Sequence, residues 1–99
     1  MNSIEKLLTL MEKLRTPKTG CPWDLKQTNA SIAAYTLEET HETLDAIERD
    51  DMNNLKEELG DLLFHIVFHS RIAQERGEFD FDQVVEGIVA KMTYRHPHV

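Results

Sequence analysis

LEETHETLDAIERDDMNNLKEELGDLLF, residues 37–64, decides the fold. Ten of the chain's eighteen acidic residues lie between Glu38 and Asp61. Only Arg49 and Lys56 oppose them, so the segment carries about −8 while the whole chain carries −7. The excess charge is therefore local. The acids are also spaced, with Glu38, Glu39 and Glu42 in one group and Glu58 and Asp61 in another. Residues three and four apart share a helix face. Between the groups stands Arg49-Asp50-Asp51-Met52-Asn53, rich in turn and cap formers. The pattern predicts helix, tight turn, helix.

The predicted hairpin can be checked for register. Glu39 and Glu42 centre on position 40.5, Glu58 and Asp61 on 59.5, and the midpoint, 50, falls in the turn. In an antiparallel pair both groups then lie at one depth, about 14 Å from the turn at a rise of about 1.5 Å per residue. Four ionised carboxylates at one level repel. A hard divalent cation with oxygen ligands relieves that repulsion, and Mg²⁺ is the first choice. Two other readings compete: a solvated acidic face and a salt-bridge network. On the first helix Ala33, Leu37, Leu44 and Ile47 form an apolar stripe, with the acids largely on the other side, which suits a solvated face. The second helix is apolar nearly all round from Leu59 to Ala73, the pattern of a buried helix. Its Glu58 and Asp61 face continues through His65, Phe68 and Ile72, towards protein. Carboxylates there need compensation, so the spacing favours a metal site.

Outward from the hairpin, Ser3 to Arg15 reads as an amphipathic helix. Ile4, Leu7, Leu8, Met11 and Leu14 form its stripe, with Ser3 as N-cap and Lys6, Lys13 and Arg15 off the stripe. Pro17 to Asp24 reads as non-helical, broken by two prolines and a glycine. It holds Trp23, which either covers the core edge, as composition favours, or stacks on a base. The hairpin helices are expected over 30–50, capped by Thr28 or Asn29, and from Asp51 or Met52 to Arg76, closed by Gly77. Gly60, inside the second, suggests close approach of a neighbour. His65 and His69 have a spacing that binds zinc, but no cysteine accompanies them and packed histidines are expected. His41 reads as a surface residue. Asp80 and Gln83 form a capping box for a last helix, with Phe79 against Val84 as staple. Phe81, Val84, Val85, Ile88 and Met92 are its expected buried stripe. Lys91 and Arg95 border that stripe at its final turn, where they either complement the macrodipole or contact phosphate.

The chain's 99 residues fit one domain with a modest core. An apolar-all-round helix in so short a chain implies a second subunit. The single cysteine, Cys21, excludes an internal disulfide and fits a reducing, cytoplasmic compartment. No base accompanies Cys21, which argues against a nucleophile. No run is long enough for a membrane span, no signal peptide is apparent, and the acidic balance argues against nucleic-acid binding.

Three signatures together resemble the MazG-type all-α nucleoside triphosphate pyrophosphohydrolases. The EExxE…ExxD pattern appears as Glu38-Glu39-Thr40-His41-Glu42 and Glu58-Leu59-Gly60-Asp61. A GCPWDxxQT segment spans Gly20 to Thr28, and an RHPHV ending spans Arg95 to Val99. The resemblance covers essentially all of residues 1–99 and is nearest to the N-terminal copy of the family's tandem-domain members. It implies a dimer of antiparallel helical bundles, about four helices per protomer. It further implies hydrolysis of an NTP or dNTP to monophosphate and pyrophosphate with Mg²⁺, for which Mn²⁺ can substitute. By the resemblance Glu39, Glu42, Glu58 and Asp61 hold the metal and Lys91 and Arg95 contact phosphate; Trp23, able to stack on a base, is a further candidate for substrate binding. Glu38 completes the motif and is the candidate general base. Two positions depart from the pattern. Asn29-Ala30-Ser31-Ile32 follows Gln27-Thr28 where the family commonly reads QTHxSL, and Tyr35 stands where active relatives often carry lysine. The alternative is a catalytically weak dimerisation or regulatory domain of a tandem protein.

Overall fold

The computed structural model describes residues 1–99. It contains five helices and no strand: α1 (Ser3–Leu14), α2 (Pro22–Leu25), α3 (Asn29–Glu48), α4 (Met52–Glu75) and α5 (Phe81–Arg95). Four are long and α2 is a single turn. The α3–α4 hairpin is the most extensive packing; α1 and α5 each lie against α4.

Local chemistry explains the boundaries. Asn2, not Ser3, caps α1, its side chain accepting from the Glu5 N–H. Thr28 and Ser31 form a reciprocal capping box on α3, and Asp80 and Gln83 do the same on α5. Both hairpin helices end in a Schellman arrangement. At the end of α3 the Asp51 N–H reaches the Ala46 carbonyl and the Asp50 N–H reaches Ile47. At the end of α4 the Glu78 and Gly77 N–H groups reach Ala73 and Gln74 in the same way. The left-handed position is glycine in one case, Gly77 at φ 72°, and aspartate in the other, Asp50 at φ 53°. Asp51 then caps α4 through the Asn54 N–H, so the hairpin turn is short because one residue ends α3 and the next begins α4.

The segment expected to be wholly non-helical contains α2. Pro22 stands at its first turn, where a missing N–H costs nothing and a fixed φ helps. The loop before it closes on α1: a Cβ at Gly20 would collide with the Leu14 and Thr16 carbonyl oxygens. Arg15, expected to lie off the packed face, is buried. Its guanidinium donates to the Asp24 and Gln27 carbonyls and to both Glu75 carboxylate oxygens, and it lies 5.6 Å from the centre of the Phe68 ring. One side chain thus ties the loop, α1 and α4 together. Burial alone would raise the Glu75 carboxyl, but its bonds and charge pairing with Arg15, helped by Arg71, hold it below the usual range.

The core is small: Met11, Ile32, Val67, Phe68 and Ile72, flanked by Leu7, Leu8, Phe64 and Phe81. Only 12 of 99 residues are buried. Three expectations about faces are corrected. On α3 the apolar stripe points outward, with Leu37, Leu44 and Ile47 all more than half exposed, while Ile32, Glu39, Thr43 and Ala46 are buried. On α4 the apolar surface is divided. Val67, Phe68, Ile72 and Ala73 are buried, but Leu59, Leu63 and Ile66 remain exposed. On α5 no residue is buried, and the expected stripe of Val84, Val85, Ile88 and Met92 is open. In each case an amphipathic pattern shows that a face seeks cover without saying which neighbour provides it. Gly60 is also open, with nothing within 4 Å of a Cβ placed there, so no close approach within the protomer requires it.

Candidate functional site

The seam of α3 that meets α4 is Ile32, Thr36, Glu39, Thr43 and Ala46, alternating steps of four and three. These residues include the buried positions of the helix. A carboxylate therefore sits at the centre of a helix–helix contact. The Thr43 hydroxyl, one turn on, donates to the Glu39 carbonyl at 2.9 Å. Across the seam α4 contributes Glu58 and Asp61. One oxygen from each of Glu39, Glu58 and Asp61 lies within 4.8 Å of the others. Glu42 is exposed and stands within hydrogen-bond reach of Glu58.

The electrostatics follow from this crowding. Burial, a hydrogen bond to Glu58 and the charges of Glu58, Asp61 and Glu42 raise the Glu39 carboxyl from 4.5 to about 8. Glu42 is raised as well, first by its hydrogen bond to Glu58, then by desolvation. Carboxylates this close repel unless a proton or a cation lies between them. Glu39 Oε1 and Glu58 Oε2 are buried with no hydrogen-bond partner. Orphaned buried acceptors are uncommon and costly. Oxygen-only carboxylate donors suit a hard cation such as Mg²⁺ or Mn²⁺. Three oxygens on one such ion stand about 3 to 4.2 Å apart at bond lengths of about 2.1 Å, so rotations of the three side chains would bring these carboxylates onto it. The residues fit such an ion.

Beside the cluster is an open groove of about 620 Å³, lined by Ala34, Leu37, Glu38, His41, Glu42, Asp45, Asn54 and Glu58. Its volume suits a nucleotide-sized ligand. Glu38 and His41, one turn apart, share its α3 wall, so His41 belongs to the groove lining. Near the hairpin turn Arg49 bonds Asp45 at 2.9 Å and Asn54 at 2.6 Å, bracing that end of the groove. Trp23 packs edge-on to Tyr35, ring centres 5.8 Å apart at 74°, and both are about half exposed. Tyr35 lies one turn before Glu38 and Glu39, so the aromatic pair adjoins the acids. Lys91 and Arg95 are exposed on α5 and line neither the groove nor an ion pair.

His65 and His69 form a hydrogen-bonded cluster with Thr36 and Asn29 that spacing alone did not reveal. Nor did it reveal the roles of Arg15 and Thr43. The available signal was the polar seam itself, whose four–three spacing marks a contact face despite its low hydrophobicity.

These features define an all-α protein with a carboxylate cluster set between two helices beside an acidic groove. Residues 27–99 match the MazG nucleotide pyrophosphohydrolase domain, and the chain belongs to that family. It is 58% identical over 99 residues to a nucleoside triphosphate pyrophosphohydrolase of Escherichia coli K12, covering all of this chain and 38% of that protein. It is 47% identical over 95 residues to the nucleoside triphosphate pyrophosphohydrolase/pyrophosphatase MazG of Thermotoga maritima, covering 96% of this chain and 37% of that one. The chain thus spans less than half the length of these relatives. The crystal structure of a mazG-related protein from Thermotoga maritima superposes with a TM-score of 0.78 at 30% identity, covering 94% of this chain and 79% of that chain. No helix is long and apolar enough to cross a membrane.

Proposed function

We propose that this chain hydrolyses nucleoside triphosphates, ribo or deoxy, to the monophosphate and pyrophosphate. In this reading Glu39, Glu42, Glu58 and Asp61 hold Mg²⁺ or Mn²⁺. The observation that carries it is the pair of buried, partnerless oxygens, Glu39 Oε1 and Glu58 Oε2, close to the Asp61 carboxylate. The relatives' designation as nucleoside triphosphate pyrophosphohydrolases supports the same reaction. When bound, the cation withdraws charge from the phosphoryl oxygens and lets a polyanion enter an acidic groove.

The chain's own residues supply the rest. Glu38, on the groove wall, accepts the proton of the attacking water. The water oxygen bonds to the α-phosphorus, the bond from that phosphorus to the α,β-bridging oxygen breaks, and pyrophosphate departs with the bonding electrons. Asn54 steadies Glu58, its amide 3.4 Å from the carboxylate. Trp23, propped by Tyr35, offers a face for the base. Lys91 and Arg95 contact phosphate only if α5 approaches the groove, from its own chain or a partner's. The open apolar faces of α4 and α5 support a homodimer, with the second copy as their cover.

The test is product identity. The protein is incubated with each NTP and dNTP in Mg²⁺, and pyrophosphate and orthophosphate are measured separately. Pyrophosphate and monophosphate in equal amounts are expected; orthophosphate as first product refutes the reading. The alternative, a weakly active dimerisation or regulatory domain, draws on Tyr35 at a lysine position. It predicts Mg²⁺ binding without turnover.

A further inference from the structure

Just beyond the carboxylates, four polar side chains join α3 to α4. Asn29 Nδ2 lies 3.2 Å from the His69 carbonyl oxygen, which can only accept, so that amide atom is the donor. The same nitrogen lies 3.0 Å from His69 Nδ1 and supplies its second hydrogen there. His69 Nδ1 therefore accepts, and its ring proton sits on Nε2. From Nε2 it is donated to Thr36 Oγ1 at 2.9 Å.

Thr36 Oγ1 has one hydrogen and two lone pairs. It also lies 3.2 Å from the Ile32 carbonyl and 3.0 Å from His65 Nδ1. The Ile32 carbonyl takes the hydrogen, leaving Oγ1 to accept from both rings. With that assignment His65 carries its proton on Nδ1. The reverse assignment leaves two oxygens facing each other with no proton between them. Protonating His69 on both nitrogens would set an N–H against the Asn29 N–H, so the cluster exists only with a neutral ring there. Burial lowers the pKa of both rings; Asp61 opposes this at His65, and His65 adds to it at His69.

The location matters. Thr36 precedes Glu39 by one turn on the same seam, and His65 follows Asp61 by one turn. Thr36 and His65 centre on position 50.5, and Glu39 and Asp61 on 50, so the two layers share one register. A slip of one residue would move a carboxylate by about 1.5 Å, enough to open a metal site. We propose that Thr36 and Asn29 lock His65 and His69 in opposite tautomers, and that this clasp positions Glu39 against Glu58 and Asp61. The positioning role rests on the metal-site reading above; the tautomers do not.

Nitrogen NMR of ¹⁵N-histidine protein at pH 7.5 reads each ring directly. The expected result is a protonated Nδ1 on His65 and a protonated Nε2 on His69. Thr36→Val keeps the shape and removes the acceptor; it should mix the tautomers and weaken Mn²⁺ binding about tenfold, and Thr36→Ser should restore both. Asn29→Ala should free His69 alone, which keeps the lock testable if the valine variant fails to fold. Both rings in one tautomer, or Mn²⁺ affinity within twofold of normal in Thr36→Val, would overturn the proposal. Absence of Mn²⁺ binding by the unaltered protein would remove the metal site and with it the positioning role, while the spectra still decide the tautomers.

Discussion

Replacing Glu39 by glutamine should make the metal-free protein more stable, and increasingly so as pH rises. The Glu39 carboxyl moves from 4.5 to about 8 on folding. A group whose pKa is raised in the folded state contributes stability in full below its unfolded value, and that contribution is lost as pH rises through the folded one. For Glu39 the window runs from about pH 4.5 to about pH 8. Taken at face value the displacement corresponds to roughly 5 kcal/mol. The Glu39 side chain is covered, but the site is shallow and borders an open groove, so solvent screens much of the repulsion. About 2 kcal/mol is the expected loss. In a domain of this size that lowers Tm by roughly 10 °C. His65 and His69, with lowered pKa values, act in the opposite sense: their contribution is present above 6.5 and lost as pH falls. Comparing wild type with Glu39→Gln at each pH cancels that background. The assay is thermal unfolding at fixed protein concentration from pH 5 to 8.5, with and without Mg²⁺. Glutamine should match wild type near pH 5 and exceed it by about 2 kcal/mol at pH 8.5. Mg²⁺ should raise the wild-type Tm at pH 8 and leave the variant unmoved. Parallel curves across the whole range would refute the claim that folding forces Glu39 against Glu58 and Asp61.

Other perturbations follow from the same geometry. Glu42→Ala and Asp61→Ala should each raise metal-free stability, abolish the Mg²⁺-induced rise in Tm and remove pyrophosphate release, as calorimetry and a product assay would show. Arg15→Met should cost about 3 kcal/mol in urea unfolding, because Glu75 and the Asp24 and Gln27 carbonyls lose their donor; a cost under about 1 kcal/mol would contradict the strut. Asp50→Gly should stabilise by roughly 0.5–1 kcal/mol, since glycine adopts a positive φ without the Cβ penalty. The unaltered protein should sediment as a dimer, and Ile66→Asp combined with Ile88→Asp should yield monomers.

The hairpin could be read from the sequence because two independent signals agreed: acid spacing on both helices, and turn residues at their midpoint. Capping was legible where residue type decides it, through the side chains of Thr28 and Asp80 and through the freedom of Gly77 to adopt a positive φ. The faces were harder. On α3 two stripes run side by side at nearly the same spacing, one of leucine and isoleucine, the other of threonine and glutamate. Hydrophobicity selects the first, yet the second packs inside the protomer. The burial of Glu39 is the reason the site exists, and a ranking by apolarity treats it as an error. Arg15 was missed for a similar cause, since its partners are carbonyls of a loop whose path no periodicity encodes. His65 and His69 were legible as a pair, but their partners come from a helix about 30 residues away in the chain.

α5 has a consequence for how the molecule acquires its shape. Of its 15 residues only Phe81, at the first turn, packs against the core, and none is fully buried within the protomer. Isolated helices of this length are marginal in water, and a capping box adds only about 1 kcal/mol. The hairpin and α1 enclose a core; α5 depends on whatever comes to lie over it. Helix content should therefore fall on dilution, with α5 the first segment whose amides exchange with solvent. At low abundance the chain would be a three-helix core trailing a loosened arm. Folding of its last helix and encounter with a companion surface would then be one event, and concentration itself would regulate how much of the chain is structured.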